Sequence, residues 1–211
     1  MVGYKRFGFY LLVLVVGSEL LLPFVLGHFI PGYQQKNMLI SSFGETGMET
    51  RNAFRIWEIF NGMLFIASAP AFYQEFKTTS TILAAGLVGS LILFGLGDCI
   101  ITGLFARAKT AEEVGFASIL HNVASGAGFI ALFVGNGLLI WLFFLRHKPG
   151  WGLVLLTLLV LAGITMLLFS SPKLPLLKAY HVAHRGLWQR LTLLFLYLPY
   201  LLVSLRSLQH K

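Results

Sequence analysis

The chain has 211 residues, of which 57% are hydrophobic and 11% are charged, and its formal net charge is +8. An ordinary soluble domain carries about 25% charged residues, so this composition excludes a soluble globule and predicts one integral membrane domain, residues 1–211. The positive charge does not indicate a nucleic acid partner, because no basic face fits between the apolar runs. The single cysteine, Cys99, excludes an intrachain disulfide and a CxxC site.

Six apolar stretches are long enough to cross a bilayer, which takes about 20 residues each. They predict an all-α bundle of six transmembrane helices, because unpaired backbone groups are not tolerated in lipid. The predicted spans are residues 7–30, 53–76, 81–106, 117–145, 152–170 and 187–205, with a loop at 31–52 and an interfacial segment at 173–186. The first span is too long for the apolar part of a signal peptide, so we expect it to be retained.

An even number of spans places both termini on the same side of the membrane. The positive-inside rule gives most weight to the first helix and to short loops. Lys5 and Arg6 precede the first span, and Arg146 and Lys148 lie in a short loop. The sequence therefore predicts cytoplasmic termini in the cell membrane.

Glu19 lies near the middle of the first predicted span, beside Ser18. A carboxylate at this depth must be paired, protonated or in contact with water. Two interpretations stay open: Glu19 belongs to a proton or substrate pathway, or it is a protonated side chain bonded to a neighbouring helix.

The polar residues of the later spans gather at the end of the bundle away from the termini. The second, third, fourth and sixth spans contribute to the group, which consists of Arg51, Arg55, Glu58, Asn61, Asp98, His121, Ser125, Gln189 and Arg190. Ionisable residues inside a membrane mark functional sites by default. The sequence therefore predicts a polar cavity at this end, in which Arg55 and Glu58 can also pair, since three residues separate them on a helix.

Glycines form stripes on the third and fourth spans. They are Gly86, Gly89, Gly95 and Gly97 on the third, and Gly128 and Gly135 on the fourth. Small residues allow membrane helices to approach closely. The stripes predict tight packing inside the bundle, or docking faces for a homo-oligomer or a hetero-oligomer.

Several short segments resemble, in their order and spacing, a family of prokaryotic six-helix membrane proteins known as domain of unknown function nine-nine-eight. They are residues 40–45, 61–62, the block from Gly86 through Asp98 and His121 to Gly128, and residues 186–190. Together they cover roughly residues 31–205. The resemblance implies this fold and a shared polar end, and it implies no established activity. The family often has an acidic residue where this chain has Gln189.

Our leading interpretation is that the polar cavity binds or processes a membrane lipid or other amphiphile with an anionic headgroup. Arg51, Arg55 and Arg190 would neutralise the headgroup, because arginine matches phosphate with two hydrogen bonds. Asp98 and His121 would form a polar pair for acid–base work, with Ser125 beside them. The remaining substrate-binding candidates are Glu58, Asn61, Gln189 and Glu19.

A second interpretation is an intramembrane lipid hydrolase, which works with or without zinc as a cofactor. Asp98, His121, His181 and His184 are all suitable zinc ligands. In outline this is similar to the alkaline ceramidase and adiponectin-receptor hydrolases, which have seven helices and paired histidines four residues apart. Here His181 and His184 are three apart and precede the last span. They equally suit an interfacial amphipathic segment that lies among lipid headgroups.

Two further interpretations come from other classes of protein. A small proton-linked transporter would use Glu19 as its proton carrier. A structural or assembly subunit of a membrane complex would use the glycine stripes as its docking faces.

Overall fold

The computed structural model describes residues 2–110, 112, 114–175 and 182–209. Within these residues the chain forms six long helices and no strand, which confirms the all-α fold class. The helices are α1 (Val2–His28), α2 (Arg51–Phe76), α3 (Thr81–Leu104), α4 (Phe116–Leu145), α5 (Pro149–Ser170) and α6 (Arg185–Gln209). Two short 3-10 turns, Ile40–Gly44 and Ser171–Lys173, lie in the connections.

The six helices form a closed ring in chain order. Each helix packs against the next, and α6 returns to pack against α1. The centre of the ring is aromatic, since Phe65 of α2, Phe94 of α3 and Tyr197 of α6 contact one another with ring centroids 4.9 to 5.8 Å apart. All three rings are buried. The core therefore joins helices that are far apart in the sequence.

Five of the six helices, all except α2, are long and apolar enough to cross a membrane. Helix α2 has 26 residues, about 39 Å at 1.5 Å per residue, and it packs between α1 and α3. Its polar residues Glu58, Asn61 and Ser68 are buried, so its lower hydropathy reflects residues that face the other helices. Large apolar side chains cover the outside of the bundle, as a lipid-facing surface requires. The protein is an integral, multi-pass membrane protein.

The helices extend somewhat beyond the stretches that hydropathy selects. Helix α1 begins at Val2 and α6 continues to Gln209, whereas the predicted spans begin at 7 and end at 205. Helices need not stop at the edge of the hydrocarbon, and basic side chains near their ends reach the headgroup layer. Of the predicted interfacial segment at 173–186, residues 176–181 lie outside the described residues.

Helix α3 contains a π-helical segment, Gly95–Ile101, which the sequence analysis did not predict. The segment makes backbone contact with the helices on either side. A Cβ atom at Gly62 of α2 would lie 2.5 Å from the carbonyl oxygen of Gly95, and one at Gly97 would lie 2.6 Å from that of Ala124 in α4. The wider π turn sets Cys99 against Gly62 and Asp98 against Gly128. Such segments recur at functional sites.

The glycine stripes are only partly used for close packing. Gly95, Gly97 and Gly128 lie at backbone contacts, and Gly135 lies against Ser90 and Tyr200. Gly89, in contrast, has open space where its Cβ atom would be. Close packing in this part of the bundle is therefore concentrated at the π segment.

The first loop, predicted at 31–52, packs across the end of the bundle away from the termini. Phe43 is fully buried and stacks on Tyr33 with ring centroids 4.5 Å apart. The Thr50 hydroxyl donates to the Phe43 carbonyl at 3.0 Å, and the Leu187 amide of α6 donates to the Lys36 carbonyl at 2.9 Å. The polar residues at this end consequently lie beneath a folded loop.

We predict that Gly128→Ala destabilises the protein by about 1–3 kcal/mol, because an added methyl group forces packed backbones apart. Its Cβ atom would lie 2.7 Å from the Asp98 Cβ atom. The matched control is Gly126→Ala on the same helix, where nothing lies within 4 Å. Thermal unfolding in detergent should show a lower Tm for Gly128→Ala only, and equal Tm values for the two variants would contradict close packing here.

Candidate functional site

A small polar cavity lies beneath the first loop, between α1, α2, the π segment, α4 and α6. Its volume is about 30 Å³, which is room for a water molecule or two. Six of the residues singled out from the sequence line it, namely Glu19, Glu58, Asp98, His121, Ser125 and Gln189. The structure thus brings together polar groups from five helices.

Glu19 is paired with neighbouring helices and is only 6% exposed. Its carboxylate accepts hydrogen bonds from Asn61 Nδ2 at 2.8 Å and from the Tyr197 hydroxyl at 3.1 Å. The adjacent Ser18 hydroxyl accepts from Trp57 Nε1 at 2.9 Å. Asn61 is therefore close to the site, where it holds Glu19 in place. Tyr197 was not predicted as a site residue, because a tyrosine in an apolar helix is ordinary.

Glu58 and Cys99 lie next to Glu19. One donor atom from each of the three residues falls within 4.8 Å of the others, and all three residues are buried. Zinc accepts both carboxylate oxygen and cysteine sulfur as ligands, so this set suits a metal ion chemically. The sequence analysis assigned no role to Cys99, since its place beside Glu58 depends on the π segment.

Asp98 and His121 line the same cavity and have separate anchors. The Ser125 hydroxyl donates to Asp98 Oδ1 at 2.5 Å. Nδ1 of His121 lies 2.8 Å from the carbonyl oxygen of Phe105. A carbonyl oxygen only accepts, so Nδ1 carries a proton, and in the neutral ring Nε2 is the basic nitrogen.

The four metal ligands expected from the sequence are not gathered in one place. Asp98 and His121 share the polar cavity. His184 is exposed at the start of α6, where its Nδ1 atom lies 2.9 Å from Asn37 Oδ1, and His181 lies outside the described residues. Among the described residues, the donors close enough to share a metal ion are those of Glu19, Glu58 and Cys99.

The three arginines proposed to hold a headgroup are also separated. Arg51 and Arg55 are exposed and line neither the polar cavity nor the apolar cleft described below. Glu58, the expected partner of Arg55, is buried, and the described part of the chain holds no ion pair between them. Helix α2 turns these arginines outward, because the residues that pack inward are Phe54 and Trp57.

Arg190 is held by the first loop. Its Nη1 atom donates to the carbonyl oxygens of Met38 and Gly186, each at 2.9 Å, and its Nη2 atom donates to the Tyr33 hydroxyl at 2.8 Å. Burial raises the pKa of the Tyr33 phenol, so the phenol stays protonated at neutral pH and donates to the Leu39 carbonyl at 3.0 Å. The guanidinium is thereby fixed at the junction of loop and helix.

Gln189 has a structural contact in this loop. Its Oε1 atom accepts a hydrogen bond from the Ile40 amide at 2.8 Å, at the start of the 3-10 turn. An acidic residue at this position would accept the same bond. Gln189 therefore keeps the loop contact without placing a charge in the cavity.

An apolar cleft of about 410 Å³ adjoins the polar cavity, between α1, the first loop and α6. Its walls are mainly apolar, with Leu20, Pro23, Phe24, Leu187, Leu191 and Leu194 among them, and its charged groups are Lys36, Arg190 and Glu19. The sequence analysis missed the cleft. The available signal was the spacing of residues 187, 191 and 194, which places three leucines on one face of a helix.

Two buried polar atoms at the cleft have no hydrogen-bond partner within the described residues. They are Nε of Arg190 and Oε1 of Gln35, one a donor and the other an acceptor. Buried polar groups are nearly always paired. Two residues that line the cleft, Gln35 and Arg190, therefore each have one unused hydrogen bond.

Fold and site together define a multi-pass helical membrane protein with a covered polar cavity. The chain belongs to the family described as "Protein of unknown function (DUF998)", whose family model matches residues 13–206. The comparison with curated proteins finds no match, and neither does the comparison with solved structures.

We predict that Asn61→Leu destabilises the protein by about 1–3 kcal/mol, because it removes a hydrogen-bond donor from the buried Glu19 carboxylate. Asn52→Leu on the same helix is the matched control, since Asn52 is exposed. Thermal unfolding of the two variants in the same detergent checks this. A similar loss of stability in both variants would mean that Asn61 does not support Glu19.

Proposed function

We propose that the protein binds an amphiphile with an anionic headgroup in the cleft between α1, the first loop and α6. The observation that carries this proposal is the shape and chemistry of that cleft. It has about 410 Å³ of space with mainly apolar walls, and its two cations lie beside the loop. Ligand sites of this volume are typically apolar with a few well-placed polar groups.

The headgroup end of the proposed site consists of Lys36 and Arg190. Nε of Arg190 is buried and without a hydrogen-bond partner in the described part of the chain. An anionic oxygen at this point would accept that hydrogen bond and gain a charge-assisted interaction. The exposed Lys36 side chain adds a second positive charge, and its backbone is fixed by the amide of Leu187.

The tail end of the proposed site is the apolar part of the cleft. Leu20 and Phe24 of α1 face Leu191 and Leu194 of α6 across it. A hydrocarbon chain placed there meets walls as apolar as the bilayer itself, so van der Waals packing holds it in the cleft. The headgroup would then lie at the level of the first loop, as it would in a lipid leaflet.

This proposal replaces two of the residues expected from the sequence. Arg51 and Arg55 are exposed and away from the cleft, so the headgroup contacts are assigned to Lys36 and Arg190. As part of the same proposal, the termini are cytoplasmic and the membrane is the cell membrane. Lys5, Arg146, Lys148 and Arg206 lie together at the end where the termini are, which the positive-inside rule supports.

We expect Lys36→Gln and Arg190→Gln to weaken the binding of phosphatidylglycerol, because each removes a positive charge of the protein that would contact the headgroup. For Arg190→Gln the expected loss of affinity is about tenfold. The measurement is titration of the purified protein with fluorescent phosphatidylglycerol and with phosphatidylcholine of the same acyl chains. Leu194→Trp should weaken the binding of both lipids, since it fills the cleft.

Arg51→Gln is the matched control for these variants, because it removes an exposed positive charge at the same end of the bundle. It should leave both affinities unchanged. Equal binding of the two lipids by the wild-type protein would contradict headgroup recognition. A loss in Arg51→Gln as large as that in Lys36→Gln would show that surface charge alone attracts the lipid.

A second candidate function is hydrolysis of the bound lipid. It is favoured by the position of Glu19, which lines both the apolar cleft and the water-sized polar cavity. A water molecule in that cavity would attack the ester carbonyl and form a new C–O bond, while the bond to the alcohol breaks. The basic Nε2 atom of His121 would take the proton from water and return it to the leaving oxygen.

For this second candidate we expect release of fatty acid from phosphatidylglycerol, lowered by about 10²–10⁴-fold in His121→Gln. Chromatography of the released acid measures it, with Asn52→Gln as the control. Elemental analysis of the same samples tests the metal-assisted form of this reaction. That form requires bound zinc in the wild-type protein and loss of the zinc in Glu58→Gln. Binding without any release of acid by the wild-type protein would reject the hydrolase and leave the binding function standing.

A further inference from the structure

A second large cavity lies at the opposite end of the bundle, where α1 begins and α2, α4 and α6 end. Its volume is about 450 Å³, within the usual range for ligand sites. Among the described residues, four cations, Lys5, Arg146, Lys148 and Arg206, line it together with a single carboxylate, that of Glu75. The cavity therefore carries an excess of positive charge.

The single carboxylate is already engaged with two of these cations. Glu75 Oε2 lies 2.5 Å from Lys5 Nζ, and Glu75 Oε1 lies 2.7 Å from Arg146 Nη1. The Nε atom of Arg146 donates to the Thr79 hydroxyl at 2.8 Å. This ion cluster fixes one wall of the cavity. It does not neutralise the positive charges of Lys148 and Arg206.

Arg206 is held by aromatic rings. Its guanidinium carbon lies 4.8 Å from the ring centroid of Trp151 and 5.6 Å from that of Phe143. Stacking of this kind fixes the plane of the guanidinium and leaves its N–H groups for other partners. Its Nη1 atom is buried and has no hydrogen-bond partner within the described residues, which is unusual for a charged donor.

We propose that this cavity binds a phosphate group, supplied by an acidic phospholipid headgroup or by inorganic phosphate. A phosphate oxygen would accept the unused hydrogen bond of Arg206, and Lys148 at the exposed rim would add a second contact. The cavity lies at the ends of membrane-crossing helices, which is the depth of lipid phosphates, and basic pockets between such helices suit acidic headgroups. None of these residues lines the apolar cleft, so this site is independent of the proposed function.

The test uses the full chain purified in a neutral detergent and in lipid nanodiscs. Calorimetric titration with inorganic phosphate forms one arm. Native mass spectrometry of phosphatidylglycerol and phosphatidylcholine retained from mixed nanodiscs forms the other. We expect saturable binding in at least one arm, weakened about tenfold or more in Arg206→Gln, since a charge-assisted bond is lost.

Two further variants keep the result interpretable. Lys148→Gln changes an exposed side chain and leaves the packing of Arg206 on Trp151 intact, and it should also weaken binding. Arg6→Gln removes an exposed charge at the same end outside the cavity and should bind as the wild type does. Binding of free phosphate identifies a soluble anion, and selective retention of phosphatidylglycerol identifies a lipid. The proposal is overturned if no binding is seen in either arm. It is also overturned if Arg6→Gln loses as much affinity as Arg206→Gln does.

Discussion

The structure depends on the backbone contact between α2, the π segment of α3 and α4. Gly62 meets Gly95 on one side of the segment, and Gly97 meets Ala124 and Gly128 of α4 on the other. A side chain at these positions would separate the three helices. Because they touch at this level, Glu58 of α2, Cys99 of the π segment and Asp98 beside it come within reach of Glu19 and the polar cavity.

The covered polar end follows from that contact and from the first loop. The loop is anchored through its own backbone: Gln189 accepts from Ile40, Arg190 donates to Met38, and Leu187 donates to Lys36. All three partners belong to the beginning of α6. The same few residues of α6 thus close the cavity and form one wall of the cleft.

The sequence predicts the fold well and the site in part. Apolar runs of sufficient length determine helices in a membrane, so the six-helix architecture could be predicted from hydropathy. Polar residues on five helices could be assigned to one end by depth, and Glu19, Glu58, Asp98 and His121 do meet there. The direction in which each helix turns its side chains depends on packing, which placed Arg51 and Arg55 outside. The π segment depends on backbone contacts between packed helices, so hydropathy does not reveal it.

One junction in the ring of helices differs from the others. Five of its six junctions join helices that are consecutive in the chain, whereas the junction of α1 with α6 joins the first helix to the last. This junction forms only after α6 has been synthesised. The apolar cleft lies at this same junction of α1 with α6. For the lipid ligand proposed above, assembly gives a route into the cleft, since a lipid resting against α1 would be enclosed as α6 arrives.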